Sequence, residues 1–520
     1  MPHVITQSCC SDGSCVYACP VNCIHPSPDE PAFATAEMLH IDPLACVDCG
    51  ACVSACPVGA IVADSRLAPH QRAFAAVNAG FYPPSPDGQR PPPATKLAPV
   101  LPAPRVRRRA VPLTVAVVGS GPAGMYAADE LLTQRGVRVN VFERMPAPYG
   151  LVRGGVAPDH QGTRAITRLF DRISQRNGFR IQLDVEVGRQ VSHADLMAHH
   201  HAVLYAVGAP WARRLDIPGE SLTGCTTATQ TMAWINGHAD HAEPAVDLGH
   251  ERVVITGNGN VALDLARLLA AEPESLAQTD ISVAALEVLR ASAVREVVVA
   301  ARRGPAQSAF TLPQLIDLTA GSQVVIGAVD RASVLRDLAV ALDPPRRMKL
   351  EILAALPAAE DPLGAVPDRP RVRLAYHLTP RRILGRDRVG AIEFAGSVDG
   401  RLSVLPTGLV LAAIGHRARP VPGLPFDDAA AVVPNRAGRV IDPATDRPLP
   451  GSYVAGWIKR GPSGFIGTNK SCAMQTVAAL VDDFNAGLLR DPPGRPAGLD
   501  RLLPRRRRRV LATAGGAGVG

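Results

Sequence analysis

The sequence predicts an α/β body that contains two Gly-rich strand–turn–helix units, preceded by a small α+β domain rich in cysteine. Nine of the eleven cysteines lie within the first 56 residues. Two separate stretches of the body each combine a β-branched run, a glycine-rich turn and an amphipathic pattern. The length of 520 residues allows about three domains at roughly 150 residues each.

The cysteines form the most specific motif, Cys46-x2-Cys49-x2-Cys52-x3-Cys56-Pro57. In this spacing, typical of bacterial ferredoxins, three thiolates hold one iron–sulfur cluster and the fourth reaches another cluster. Upstream, Cys15-x3-Cys19-Pro20 repeats the end of the motif. The predicted ligands of a 4Fe–4S cluster are Cys19, Cys46, Cys49 and Cys52. Those of a second cluster are Cys9, Cys15 and Cys56, with Cys10 as the alternative to Cys9.

Disulfides and structural zinc are the other interpretations of so many cysteines. Residues 1–8 lack the basic and apolar regions of a secretory signal peptide, and zinc sites use paired C-x2-C knuckles. Three well-placed thiols suit a 3Fe–4S cluster and a fourth would allow 4Fe–4S, so the type of the second cluster stays open. Free thiolates require a reducing compartment, which predicts the cytoplasm.

Charge is distributed unevenly along the chain. Residues 1–65 carry seven acidic side chains and no Lys or Arg, so the net charge of +8 leaves +15 on the remainder. An acidic domain joined to a basic body predicts electrostatic docking between them.

Proline and arginine mark the predicted boundaries. Residues 81–112 contain ten prolines and are expected to form an extended linker after a cysteine-rich domain over 1–66. Five consecutive arginines follow residue 504, so 491–520 is expected to be a disordered tail. No apolar run is long enough to cross a membrane, and nothing besides the arginine block suggests nucleic acid.

The first Gly-rich turn is Gly119-x-Gly121-x-x-Gly124, in the strand–turn–helix context of a Rossmann-like domain. Its glycines predict a tight turn, close approach of a diphosphate and close helix–strand packing. The next strand pattern ends in Glu143, whose carboxylate can accept hydrogen bonds from ribose hydroxyls and repels a 2′-phosphate. This unit therefore predicts FAD or NAD.

The second turn is Gly257-x-Gly259-x-x-Ala262, and the strand pattern after it ends in Arg302 and Arg303 instead of an acid. Two guanidiniums at this place can bind a 2′-phosphate, which predicts NADP(H). An FAD-type unit followed by an NADP-type unit indicates a flavin reductase, since a flavin takes two electrons as hydride and passes them on singly.

Five ordered segments carry a family resemblance: 119–132, 148–160, 257–269, 301–311 and 456–469. In them the body, about 113–490, resembles adrenodoxin-reductase-like ferredoxin–NADP(+) reductases. With the bacterial-type ferredoxin domain in front, the whole chain resembles a fused ferredoxin/ferredoxin–NADP reductase.

The resemblance implies an FAD domain over 113–208 and 408–490, with an NADP domain over 209–407 inserted in it. The implied FAD contacts, beside the first turn, are Ala123, Glu143, Leu151, Val187, Trp457, Gly464, Phe465 and Ile466. The implied NADP contacts are Arg213, Asn258, Gly259, Asn260, Val261, Arg302, Arg303 and Gly464. It also implies a coupling or proton-transfer role near the flavin for Asp159 and His160. Gln314 stands where the family usually has Glu, which puts nicotinamide-nucleotide affinity or selectivity in doubt.

The sequence thus predicts an enzyme in which NADPH reduces FAD by hydride transfer. FAD then passes electrons one at a time to the fused clusters or to an external ferredoxin, and the head is the final acceptor or a relay to an external ferredoxin or a monooxygenase. We expect a monomer that binds neither nucleic acid nor membrane. One alternative is an electron-input subunit resembling the glutamate-synthase small subunit. Another is a non-enzymatic sensor whose arginine-rich tail binds nucleic acid.

Overall fold

The computed structural model describes residues 2–82, 97–99, 102, 105–241, 246–359, 363, 367 and 369–501. The predicted linker and tail therefore lie partly outside the described residues. Among those described, no helix combines the length and apolarity needed to cross a bilayer. The part of the predicted tail that is described differs from the expectation, because Pro496–Arg501 forms a 3-10 helix and Leu499 is buried.

Residues 2–82, here called the head, are built from two similar halves. Each half contains a five-residue helix that follows a left-handed glycine, Gly13 or Gly50, and is followed by a cysteine, Cys19 or Cys56. Two antiparallel strand pairs complete the head. The side chain of Asn78 joins them, since its Oδ1 accepts from the backbone N–H of Ile5 and of Ile41. The strands are His3–Ile5 with Ile61–Ala63 and Ile24–His25 with His40–Ile41, and the helices are Ser14–Ala18, Ala51–Ala55 and Ala73–Gly80.

The body contains two seven-stranded sheets, here called the first and second sheet. The first sheet has, in spatial order, strands Asn435–Arg436, Arg439–Asp442, Arg447–Val454, Ala202–Tyr205, Thr114–Val118, Arg138–Phe142 and Phe179–Gln182. Its five strands from Arg447–Val454 onward are parallel. The central strands Thr114–Val118 and Ala202–Tyr205 are buried along their whole length and are mostly apolar, as expected for strands covered on both faces. The helices of this part are Pro122–Leu132, Leu151–Gly154, Gln161–Arg164, Thr167–Ser174, His193–His199, Trp457–Arg460 and Thr468–Asn485.

The second sheet is entirely parallel and has the order Cys225–Thr227, Leu409–Ala412, Arg252–Thr256, Glu296–Ala300, Arg371–Ala375, Val324–Gly327 and Ala358–Ala359. Its helices are Ala228–Ile235, Asn260–Ala270, Pro273–Leu276, Val283–Arg290, Leu312–Gly321, Ala328–Val340 and Pro344–Ala355. An antiparallel sheet of Leu378–Gly385, Val389–Gly396 and Leu402–Pro406 adjoins it. The α/β fold class with its small α+β head is confirmed.

The chain passes between the two sheets at a single place. Trp211–Ala212, on the way into the second sheet, pairs antiparallel with His416–Arg417 on the way back. The first sheet takes strands from both sides of this crossing, and the second sheet takes strands only from the residues between. This arrangement is what an inserted domain requires, although the predicted domain boundaries stay predictions.

Candidate functional site

The three glycines of the first turn have different geometric surroundings. Gly119 has φ +98°, and a Cβ there would lie 2.7 Å from the carbonyl oxygen of Ala206. A Cβ on Gly124 would collide with the carbonyl oxygen of Gly119. Gly121, by contrast, has no atom within 4 Å of where its Cβ would be. The helix that begins at Pro122 therefore presents its N-terminus to a free space that suits a diphosphate.

Glu143 lies next to this turn and is buried. Its Oε2 accepts hydrogen bonds from the backbone N–H of Ser120 (2.9 Å) and from Ser120 Oγ (2.7 Å), and its Oε1 accepts from the N–H of Met145 (3.0 Å). A carboxylate has about four acceptor positions, so one is left to accept a hydrogen bond from a ribose hydroxyl. The protein contacts hold it in place for that contact.

Further segments lie against the first turn. A Cβ on Gly150 would lie 3.2 Å from Gly121 Cα, and a Cβ on Gly456 would lie 2.6 Å from the side chain of Ala123. Tyr149 donates its backbone N–H to Ser120 Oγ at 3.0 Å. The loops that begin at 148 and 456 therefore border the same space as the turn.

The remaining side chains predicted to contact FAD sit on these loops or beside Glu143. Leu151 is apolar yet 39% exposed, and Ile466 packs against the core of the first sheet. Trp457 donates its Nε1–H to the carbonyl of Ser463 at 3.1 Å, and Phe465 donates its N–H to Thr468 Oγ1 at 2.9 Å. Gly464 is left-handed at φ +76°. Val187 follows a segment whose Val185 N–H bonds the Glu143 carbonyl at 2.9 Å.

The second turn repeats this geometry. Gly257 has φ +108°, Gly259 has no atom within 4 Å of its Cβ position, and Ala262 is fully buried. Asn260 Oδ1 accepts from the N–H of Thr311 at 2.8 Å, and Asn258 Oδ1 from that of Ala309 at 3.4 Å. These two amides hold the loop at 301–311 beside the turn. Val261 packs against the core of the second sheet.

Arg302 and Arg303 follow the strand Glu296–Ala300 and are both exposed. Only their carbonyl oxygens are engaged: Ser397 Oγ donates to that of Arg302 at 2.8 Å, and the His377 N–H to that of Arg303 at 3.4 Å. Within the described residues neither guanidinium has a hydrogen-bond or ion-pair partner. Both are therefore available to an anionic ligand.

Arg213 lies at the crossing between the sheets. It donates its backbone N–H to the carbonyl of Gly415 at 2.9 Å and its Nε to that of His416 at 3.3 Å. Its position is thus tied to the two chain passages that join the sheets.

Asp159 and His160 belong to a buried polar cluster that joins the head to both parts of the body. Arg267 forms ion pairs with Asp159, with Asp264 (2.9 Å) and with Asp317 (3.0 Å). The other members are His160, Gln314 and, from the head, Gln7. His160 Nε2 lies 3.1 Å from Asp317 Oδ2 and 3.3 Å from Gln7 Nε2.

The cluster contains three carboxylates and one arginine, and this excess of negative charge affects the pKa of His160. Burial alone would lower the pKa of His160, but the carboxylates of Asp264 and Asp317 outweigh it and raise the pKa above its ordinary value. Burial raises the pKa of Asp264 to about 6. Gln314 donates its Nε2–H to Asp264 Oδ1 at 2.5 Å, so its amide is turned toward a carboxylate that a glutamate there would repel.

The cysteines of the head form two groups. The outer site consists of Cys19, Cys46, Cys49 and Cys52, which line one pocket whose other lining residues all belong to the head. Within the described residues no three His, Cys, Asp or Glu side chains lie close enough to share one ion.

A fifth cysteine, which the sequence did not identify as a candidate ligand, lies beside the four cysteines of the outer site. Cys23 lines the same pocket, with its Sγ 3.4 Å from that of Cys19. The hydrogen bond with Cys23 lowers the pKa of the Cys19 thiol below its ordinary value. The x3 spacing between the two was visible in the sequence, but only folding shows that both face one pocket.

The inner site consists of Cys9, Cys15 and Cys56. Their thiols influence one another electrostatically, and burial raises the pKa of Cys9 to about 11. Buried thiols of raised pKa become thiolates when a metal coordinates them. The neighbouring Cys10 is buried in the core of the first sheet, and Cys9 packs against the same core, so the choice of Cys9 or Cys10 as a ligand stays a prediction.

The head contacts both parts of the body, as its charge predicted. Asp12 pairs with Lys470 on a helix beside the first sheet (3.5 Å), and Glu37 pairs with Lys349 on a helix beside the second sheet. Glu37 also accepts the N–H of Leu312 at 2.7 Å. Sequence reasoning missed these contacts and the roles of Asp264, Arg267 and Asp317, because nothing local marks residues that meet across domains.

Two family models match the chain. Residues 113–297 match the pyridine nucleotide-disulphide oxidoreductase family, and residues 39–62 match the 4Fe-4S binding domain. Together they cover parts of the body and of the head.

Relatives extend this similarity over the whole chain. A probable ferredoxin/ferredoxin–NADP reductase of Mycobacterium tuberculosis is 63% identical over 515 residues, 99% of this chain and 89% of the relative. Its counterpart in Mycobacterium leprae is 60% identical, over 99% of this chain and 92% of the relative. Among solved structures, Mycobacterium tuberculosis FprA in complex with NADPH is 36% identical with a TM-score of 0.68, over 75% of this chain and 89% of that one.

Proposed function

This chain belongs to the fused ferredoxin/ferredoxin–NADP reductases, and on that premise we propose how its residues divide the reaction. It is an FAD-dependent enzyme that moves electrons from NADPH to iron–sulfur acceptors. One observation supports the assignment of FAD to the first turn and NADPH to the second. The two Gly-rich turns have the same geometry, but Glu143 is buried beside one and two free arginines follow the strand beyond the other.

FAD, when bound, takes a hydride from NADPH and releases two electrons singly with one proton. The first turn holds its diphosphate at the free space beside Gly121, and Glu143 holds the adenosine ribose. The loops at 148–151 and 456–466 enclose the remainder of the cofactor. Leu151, Val187, Trp457 and the backbone of Gly464, Phe465 and Ile466 are assigned there.

NADPH is bound by the second turn, with its diphosphate beside Gly259 and its 2′-phosphate on Arg302 and Arg303. Free guanidiniums bind a phosphate through charge-assisted hydrogen bonds without first breaking internal ion pairs. Arg213 and Gly464 contact the nucleotide near the crossing between the sheets. Gln314 acts indirectly, by bonding Asp264.

Asp159 and His160 position the reacting partners. Their contacts reach the second sheet through Arg267 and the head through Gln7. The raised pKa favours the protonated form of His160, at the place where the head and the parts of the body that contain the two sheets meet.

The outer site holds a 4Fe–4S cluster on Cys19, Cys46, Cys49 and Cys52. The inner site, with three thiols and Cys10 turned into the core, suits a 3Fe–4S cluster. We further propose a monomer in the reducing cytoplasm that delivers electrons to an external ferredoxin or a monooxygenase. The input-subunit alternative would require a stable partner, which size-exclusion chromatography of the purified protein would reveal.

A spectroscopic titration of the full chain tests this function. We expect NADPH to bleach the flavin bands much faster than NADH does, and iron–sulfur absorbance to persist after the flavin is removed. A purified protein that carries no flavin, or whose flavin NADPH leaves oxidised, would refute the reductase assignment.

A further inference from the structure

The two cysteine sites differ in where they lie relative to the body. The segment that carries Cys9 is pressed against the loop assigned to FAD. Gly467, directly after Ile466, donates its N–H to the carbonyl of Cys10 at 2.7 Å. A Cβ on Gly467 would collide with the backbone of Ser11 and Asp12. The glycine therefore permits the closest approach of head and body at this point.

Further contacts hold the same face of the head. Lys470 Nζ donates to Ser14 Oγ at 2.9 Å, one residue before Cys15. On the other side, a Cβ on Gly162 would collide with Ser8 and would lie 3.7 Å from the carbonyl of Val58, two residues after Cys56. All three cysteines of the inner site thus have chain neighbours, one or two residues away, that lie against the body.

The apolar packing agrees with these contacts. Cys10 and Val58 belong to the buried core of the first sheet, and Cys9, Cys56 and Ile466 pack against that core. Ile466 is one of the residues assigned to the flavin. The inner site and the flavin loop therefore border the same packed region, with no solvent layer between the two segments at Gly467.

The outer site lies in a pocket of the head that is open to solvent at one of its cysteines. Every residue that lines its pocket belongs to the head. Cys49 is exposed, and Val47 on the pocket wall is 59% exposed despite being apolar. An acceptor protein can reach this site without displacing any part of the body.

We propose that the inner site receives electrons from the flavin and the outer site delivers them to the external acceptor. The assignment rests on the proposed function. NADPH loses a hydride and becomes NADP+, and the flavin is reoxidised by giving up two electrons singly and one proton. Each electron passes to inner-site iron, then to outer-site iron, and then to the acceptor, and no covalent bond to the protein forms. Because transfer slows steeply with distance, the nearer site is the first acceptor.

The first test is structural and uses the full wild-type protein. A paramagnetic lanthanide chelate added to the solution should broaden the EPR signal of the outer cluster and leave that of the inner cluster nearly unchanged. Equal broadening of both signals, or preferential broadening of the inner one, would overturn the assignment. This readout does not depend on turnover.

The second test follows reduction in Cys15→Ser and Cys49→Ser, with Cys225→Ser as the matched cysteine control outside both sites. After rapid mixing with NADPH and freezing, EPR should show the remaining outer cluster of Cys15→Ser reduced at least about tenfold more slowly than in the control. In Cys49→Ser the inner cluster should be reduced as fast as in the control. Iron and sulfide counts establish which cluster each variant retains.

An undiminished rate of outer-cluster reduction in Cys15→Ser would contradict the proposal. If Cys15→Ser loses both clusters, the lanthanide experiment decides alone. Failure of the underlying function is distinguishable from both outcomes, because NADPH would then leave the flavin of the wild-type protein oxidised.

Discussion

The two Gly-rich turns show how one geometry serves two nucleotides. Gly121 and Gly259 both stand at a helix N-terminus with no atom within 4 Å of the Cβ position. The difference lies one strand further along the chain, where the first turn is followed by buried Glu143 and the second by exposed Arg302 and Arg303. The turn binds the diphosphate common to both ligands, so selectivity depends on the group that meets the ribose.

Placing a side chain in either turn should have the largest effect, because it should abolish binding of one nucleotide and leave binding of the other intact. In Gly121→Val the side chain occupies the space for the diphosphate, and we expect a loss of about 3 kcal/mol of FAD binding, so that most of the protein is purified without flavin. The flavin-to-protein absorbance ratio measures this. Gly259→Val is the matched variant: it should retain FAD and lose NADPH affinity. Equal flavin content in both variants would contradict the assignment of the turns.

Removing the two arginines should reduce the difference between the nucleotides. We expect Arg302→Ala combined with Arg303→Ala to lower the NADPH-over-NADH preference in kcat/KM by about 2 kcal/mol, since charged hydrogen bonds contribute roughly that much. Steady-state kinetics with both nucleotides measures the preference. Arg386→Ala, an exposed arginine outside the site, is the control. An unaltered ratio would place the 2′-phosphate elsewhere.

Changing the acid at the first turn should have a smaller effect. In the wild type the two Glu143 carboxylate oxygens accept hydrogen bonds from the N–H of Ser120 and of Met145. In Glu143→Gln an amide NH2 group replaces one of these oxygens, so one of the two hydrogen bonds is lost. We expect FAD affinity to fall by about 1 kcal/mol. The measurement is the recovery of flavin fluorescence on dilution. NADPH affinity of the flavin-loaded variant should match that of the wild type, and a matching loss would argue against separate roles.

The smallest expected effect concerns the buried polar cluster around Arg267 and His160. The pKa of His160 is raised on folding, so its contribution to the free energy of unfolding is complete below the ordinary value of 6.5 and is lost as pH rises through the folded value. The groups that face it are Asp264, Asp317, Arg164, Arg267 and Gln7. His160→Gln should abolish this loss of stability above pH 6.5 in urea unfolding curves. The same dependence on pH in both proteins would assign the titration to another group.

Much of the architecture was predictable from local patterns. Val115, Val117 and Val118 before Gly119 indicate a buried strand and a turn, and the strand Thr114–Val118 lies in the first sheet. The cysteine spacing predicted the iron–sulfur head, which the 4Fe-4S binding match confirms. The roles of individual site residues stay predictions. The expected disorder after residue 490 was wrong for the first residues of the tail, because Leu499 finds an apolar surface that the local composition does not reveal.

The sequence by itself determined the chemistry: thiols at cluster spacing, two dinucleotide turns, and an acid or two arginines beyond them. These depend on short stretches of chain, where residue type and spacing set the local geometry. Only the tertiary structure decided which cysteines pack beside the body and which line the pocket of the head. It also brought Gln7, Asp159, Asp264 and Asp317 together around Arg267 and His160. Such contacts join residues distant along the chain, so they depend on how whole domains pack.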